Sequence, residues 1–328
     1  MIRSSSVFVF FALIGAAFGQ VTPGQLRGPV MGYIPDGSSL RALRGIPAAG
    51  SVGGALSVGR DLALFEISPS QTVALGTASD TGELLLLTPD DEGALVRAVA
   101  VSGSAPGASR IVFSPSGTAA ALWFASTGHI QVLESVSSTP VVRDIDASYL
   151  GGYPAAFAVS DDSQWIAVAW TSKVYAFGPN SQVNALPVDG AAQALSFFHN
   201  KPNIAVFTPT EVVTIADIGG SATPTVLWSQ SAEAAAAGNP VAAGLAVSFD
   251  NSRLTVAGST GALFTFNLAT GAGIAADCGC TPTGLAGLGG SLFRLNGANA
   301  EAVKVFDAAT NEVWFVPLAT SPAVGGQQ

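Results

Sequence analysis

Charge is scarce in this 328-residue sequence: 11% of its residues are Asp, Glu, Lys or Arg, and 13 basic side chains face 22 acidic ones, for a formal net charge of -9. A protein that wraps nucleic-acid phosphates or an anionic membrane surface needs a basic stripe, so no nucleic-acid partner is expected. Histidine is nearly absent too. With only His129 and His199, a His-based catalytic triad or a His-rich metal site has almost no raw material. Cysteine is limited to Cys278 and Cys280. Long apolar runs are missing beyond the N-terminus, where Gly, Pro, Asp or Ser breaks each within about a dozen positions, so no span of ~20 apolar residues can cross a bilayer. The mean hydropathy of +0.46 therefore needs another cause. Disorder is excluded, because a disordered chain is poor in the apolar residues that make up 48% of this one. The spacings of the hydrolase nucleophile elbow, the phosphate-binding loop, the zinc-protease helix, the EF-hand and the dinucleotide fold are all missing.

What is present begins with an address. Arg3, the apolar run Val7 to Phe18 and the small pair Ala17 and Gly19 form the three parts of a secretory signal peptide, so residues 1–19 are expected to be removed after Gly19 and the protein exported, periplasmic or extracellular. In an oxidising compartment Cys278 and Cys280 are candidates for a local disulfide, although a Cys-Gly-Cys ring is small and strained, which leaves two thiols as the alternative. Two thiolates do not complete a four-ligand zinc site, and no metal or cofactor is expected.

The mature chain repeats itself. Phe65-Glu66-Ile67-Ser68-Pro69-Ser70 returns as Ile111-Val112-Phe113-Ser114-Pro115-Ser116, as Phe157-Ala158-Val159-Ser160-Asp161-Asp162 and as Leu245-Ala246-Val247-Ser248-Phe249-Asp250, with a looser copy at Leu195-Ser196-Phe197-Phe198-His199-Asn200. Each is a short apolar strand, a polar turn and a second apolar strand. Ser68, Ser114 and Ser160 are 46 residues apart, and Ser160 to Ser248 is 88, read as two steps of 44. Third and fourth strands follow, such as Glu83 to Leu87 and Val96 to Val101. Four strands per period of ~40 to 45 residues is the blade of an all-β β-propeller.

The phrase Phe113-Ser114-Pro115-Ser116-Gly117 resembles the F-S-P-D-G phrase of WD-repeat and related bacterial propellers such as the YVTN and TolB-like groups. Gly128-His129-Ile130-Gln131-Val132 and Phe264 to Gly271 resemble the strand that follows it there. The resemblance implies the ring architecture. No Trp-Asp dipeptide ends a third strand, so no functional residue is carried over. Second strands beginning near Ala74, Ala120, Ile166, Ile204, Leu254 and Leu292, with an N-terminal hairpin at Val30 to Ile34 and Ser39 to Leu43, favour seven blades over residues 20–318. The hairpin is expected to share a blade with the strand around Val313-Trp314-Phe315-Val316 and so close the ring. Six blades, with the hairpin as an added outer strand, is the alternative. Residues 319–328 read as a flexible tail.

Chemistry is harder to find. Asp90-Asp91-Glu92 reads as a solvated turn and Asp161-Asp162 as a self-capping turn. Asp144 and Asp146 face one side of a strand and lead into Tyr149 and Tyr153, on an inter-blade connection expected to ring the channel mouth. These four are the candidate ligand-binding residues. The five tryptophans read as inter-blade core, and residues 232–238 as an inserted helical turn. Two functions follow. One is a secreted, non-enzymatic, monomeric scaffold for a protein or small extracellular ligand. The other is a propeller hydrolase, lactonase-like or lyase-like, with an acidic metal site in the central channel.

Overall fold

The computed structural model describes residues 28–89, 96–231, 240–297 and 302–318. The expected leader, the acidic run at residues 90–92, the helical turn at 232–238 and the C-terminal tail lie outside these residues. The described chain is all β apart from three 3-10 turns, and its strands form seven antiparallel sheets in chain order, six of four strands and the first of three. This is a seven-bladed β-propeller. The first strand of each blade is innermost and touches the first strand of the next, as Leu62–Ile67 touches Arg110–Phe113 and Ala156–Val159 touches Ala194–Phe197.

Low charge has its physical cause here. Each blade is packed against a neighbour on both faces, so its middle strands must be apolar at consecutive positions rather than alternate ones. Ala120–Phe124 and Ile166–Trp170 are buried at every residue. Seven apolar clusters fill the seven blade interfaces. Trp123, Trp165 and Trp170 are buried among them, with Trp123 edge-on to Trp170 at 5.5 Å between centroids, and Trp228 and Trp314 are half-buried at two other interfaces.

The repeated serine is explained by the turn it begins. The hydroxyls of Ser68, Ser114, Ser160 and Ser248, all buried, accept the N–H of the residue five positions on, Val73, Ala119, Trp165 and Arg253, at 3.3, 3.1, 3.0 and 2.9 Å. The residue three positions on takes a positive φ: 62° at Gln71, 77° at Gly117, 59° at Ser163 and 57° at Asn251. In the looser copy the equivalent turn is anchored by the N–H of Phe198, which bonds the carbonyl of Asn203. Phe198 stands 38 residues after Ser160 and 50 before Ser248, so the two steps are unequal rather than both 44.

The ring closes between the N- and C-terminal strands, but not by sharing a sheet. Val30–Asp36 and Ser39–Arg44 pair with Ser51–Leu56 as blade 1, while Glu312–Pro317 is the outermost strand of blade 7. The expected common blade is thereby corrected. Ile34, Leu43 and Val52 instead pack face to face on Leu288, Val303 and Val316, and one parallel bridge joins Val52 to Leu318. Burial of two apolar faces replaces the ladder of backbone bonds that a shared blade would supply.

Candidate functional site

The inner strands enclose a cavity of about 540 Å³ along the ring axis. Its wall is built from the repeat. In the register set by the turns, Glu66 lies two residues before Ser68, and Val112, Ala158, Ser196 and Ala246 hold the same level in the next four blades. Small side chains at that level leave space, and Glu66 is the one acid among the residues lining the cavity. Arg110, one step along at the start of its strand, and Arg294, near the same end of blade 7, line it as well.

These three charges interact across the cavity without pairing. Among the described residues, no Arg110 or Arg294 nitrogen comes within the 4.0 Å of an ion pair to the Glu66 carboxylate. Burial raises the Glu66 carboxyl above the usual carboxylate range, opposed by the attraction of Arg294 and Arg110. Burial likewise lowers both guanidiniums, with Glu66 opposing. Arg110 is steered by its Nη1, which donates to the carbonyl of Ala155 at 3.1 Å, and by the Phe157 ring, 5.3 Å from its Cζ. Arg294 Nη1 donates to the carbonyl of Asn296 at 2.9 Å, and its Nε is buried without a partner.

At the opposite mouth, the His199 and Phe249 rings meet at a tilt of 57° with centroids 4.8 Å apart. The buried imidazole has its Nδ1 3.9 Å from Asp161 Oδ2 and unbonded, and burial lowers its pKa, with Asp161 opposing. Phe249 is 62% exposed.

The residues singled out in the sequence lie elsewhere. Asp144 and Asp146 sit on Val141–Asp146, the outermost strand of blade 3, facing Gln131 and His129 of the neighbouring strand. Asp144 Oδ1 accepts from Gln131 Nε2 at 2.9 Å. Asp146 Oδ1 accepts from the hydroxyl and the N–H of Ser148 at 2.6 and 2.9 Å, which holds its carboxyl below the usual range. Tyr149, in the 3-10 turn Ser148–Leu150, and Tyr153 are 63% and 72% exposed. None of the four lines the cavity. Their connection reaches the channel only at its end, through the Pro154 and Ala155 carbonyls that Arg110 contacts. Cys278 and Cys280 are joined as a disulfide with their Cα atoms 5.1 Å apart, at the blade 6 to blade 7 interface.

The donors for a catalytic metal do not converge. Among the described residues no three His, Cys, Asp or Glu side chains come together to hold an ion, and a lone carboxylate beside two guanidiniums is a poor cation ligand. No described helix is long and apolar enough to cross a membrane. Glu66, Arg110 and Arg294 were not marked by the sequence reading. For the first two, the signal was available in the aligned repeat, where a charged residue stands in a column otherwise filled by Leu, Val, Ala, Ser and Gly.

No family model matches the chain, and no curated protein does. A solved structure, that of a functionally unknown protein from Desulfotomaculum acetoxidans DSM 771, is similar to it at a TM-score of 0.55 and 11% identity, covering 88% of this chain and 99% of that one. At that identity the likeness is one of fold alone.

Proposed function

We propose that this protein is an exported, monomeric, non-enzymatic propeller that serves as a rigid scaffold for binding a protein or a small extracellular ligand, a distant variant of the WD-repeat-like, YVTN and TolB-like propellers. The observation that carries the reading is the cavity wall: small and apolar residues mixed with neutral polar ones such as Gln193, Ser196 and Asn296, with Glu66, Arg110 and Arg294 as its charges, and no convergent metal donors among the described residues. Such a wall offers recognition by shape and a few charges. Among the described residues it gathers no set of three metal donors, which favours the scaffold over a hydrolase with a metal-activated water. Export rests on the leader-like residues 1–19.

The test has two arms. The purified protein, supplied with calcium, manganese or zinc, is assayed on lactones, simple esters and uronate-containing oligosaccharides, and no turnover above buffer is expected. Turnover that disappears in Glu66→Gln would overturn the scaffold in favour of an enzyme. N-terminal sequencing of the exported fraction is expected to begin at Gln20, and retention of the intact chain inside the cell would remove the export part of the reading.

A further inference from the structure

The channel has a charge pattern that is incomplete by itself. Two guanidiniums and one carboxylate share a cavity of about 540 Å³, within the size range of small-molecule sites, yet they form no ion pair with one another among the described residues. Glu66 and Arg294 are half-buried and unpaired, which is unfavourable, Arg110 stands exposed beside them, and a ligand that bridges these groups relieves the cost. Arg294 Nε is a buried donor without an acceptor, and Arg110 and Arg294 each use a single Nη1 on protein carbonyls, which leaves donors of both forks unassigned. A planar fork of this kind matches a carboxylate.

The balance of charge narrows the class. Two arginines and Glu66 leave the site one positive charge in excess, which one carboxylate neutralises. A dicarboxylate or a phosphate dianion would set a second negative charge against Glu66. An amino-acid zwitterion would leave the excess uncompensated and offer its ammonium a single carboxylate. A hydroxyl suits the ionised Glu66 held between the two arginines, since it donates to the carboxylate without adding charge. Ala158, Ser196 and Ala246, level with Glu66, leave room for a short polar chain beside it.

We propose that the channel binds a small hydroxylated monocarboxylate, an aliphatic hydroxy acid or sugar acid, with its carboxylate on Arg110 and Arg294 and a hydroxyl on Glu66. This rests on the reading of the protein as a binding scaffold and names the ligand class of its channel.

The probes are D-gluconate and L-lactate, titrated into the full chain by calorimetry, with succinate and sulfate as controls. Saturable binding of gluconate or lactate is expected, weakened about tenfold or more by Arg294→Gln and by Arg110→Gln, and less by Arg294→Lys, which keeps the charge but not the fork. Circular dichroism checks that these variants fold. Ala158→Phe, which narrows the channel without touching a charge, is expected to abolish binding as well. Absence of a saturable signal up to about 10 mM overturns the proposal. So does binding that ignores both arginine variants, or sulfate bound as tightly as gluconate. Those failures leave the scaffold reading standing, since that reading falls on turnover and not on the lack of a hydroxy acid.

Discussion

Asp161 of blade 4 holds Ser116 of blade 3 by two bonds to one oxygen: its Oδ1 accepts the Ser116 N–H at 2.8 Å and the Ser116 hydroxyl at 2.6 Å. Its second oxygen accepts the N–H of Asn200 in blade 5 at 2.9 Å, so one side chain links three consecutive blades at their turns. The Asp161 side chain is 3% exposed, which makes these charge-assisted bonds in a nearly dry setting.

Asp161→Ala removes the acceptor of the half-buried Ser116 N–H and hydroxyl, while the exposed Asn200 N–H turns to water, and is expected to destabilise the protein by about 1 to 3 kcal/mol. Urea unfolding measures this. A loss no larger than that of an exposed-surface substitution would refute the inter-blade role.

Ser114→Ala and Ser160→Ala each remove the acceptor of a buried turn N–H, Ala119 or Trp165. A loss of about 1 to 2 kcal/mol is expected for each. Thermal melts of the two single variants and the double variant test it, and because Asp161 bonds the one turn to the other the double variant is expected to depart from the sum of the singles.

Trp165 is wedged between two glycines of adjacent blades. A Cβ at Gly219 would fall 2.6 Å from its Cζ2, and one at Gly178 would also overlap the ring. Gly219→Ala is expected to cost about 1 to 3 kcal/mol and to shift the tryptophan emission, because the ring must move and the blade 4 to blade 5 interface reopens. An unchanged spectrum with unchanged stability would contradict the packing.

His199 has a pKa below its usual 6.5 because burial disfavours the imidazolium, despite nearby Asp161. The unfolded chain therefore binds this proton more readily than the folded one. The stabilisation is present above about pH 6.5 and is lost as pH falls below it. Unfolding free energies measured from about pH 7.5 to 5 should decline more steeply in the wild type than in His199→Gln. Parallel profiles would count against the buried neutral imidazole.

The turn at Asp161-Asp162 shows how far the sequence could be read. Its self-capping role belongs to Asp162, whose Oδ1 accepts the Gln164 N–H at 3.0 Å, while Asp161 points outward to its neighbours. Adjacent positions of like chemistry cannot be told apart without knowing which side another blade occupies. The same holds for Asp144 and Asp146: alternation placed them correctly on one face of a strand, but whether that strand was innermost or outermost was not legible, and it is outermost.

The sequence by itself determined the repeat, the strand and turn positions within it, and hence the propeller, because these follow from local propensity and from burial that recurs at a fixed period. The tertiary structure alone decided the rest. It set closure by packing of blade 1 on blade 7 rather than by a shared sheet, and it brought Glu66, Arg110 and Arg294 into one cavity although 44 and 184 residues separate them in turn. Convergence on a ring axis is a property of the closed circle. The aligned repeat marks Glu66 and Arg110 as charges in columns of small and apolar residues, but only closure of the circle sets which charges meet across it.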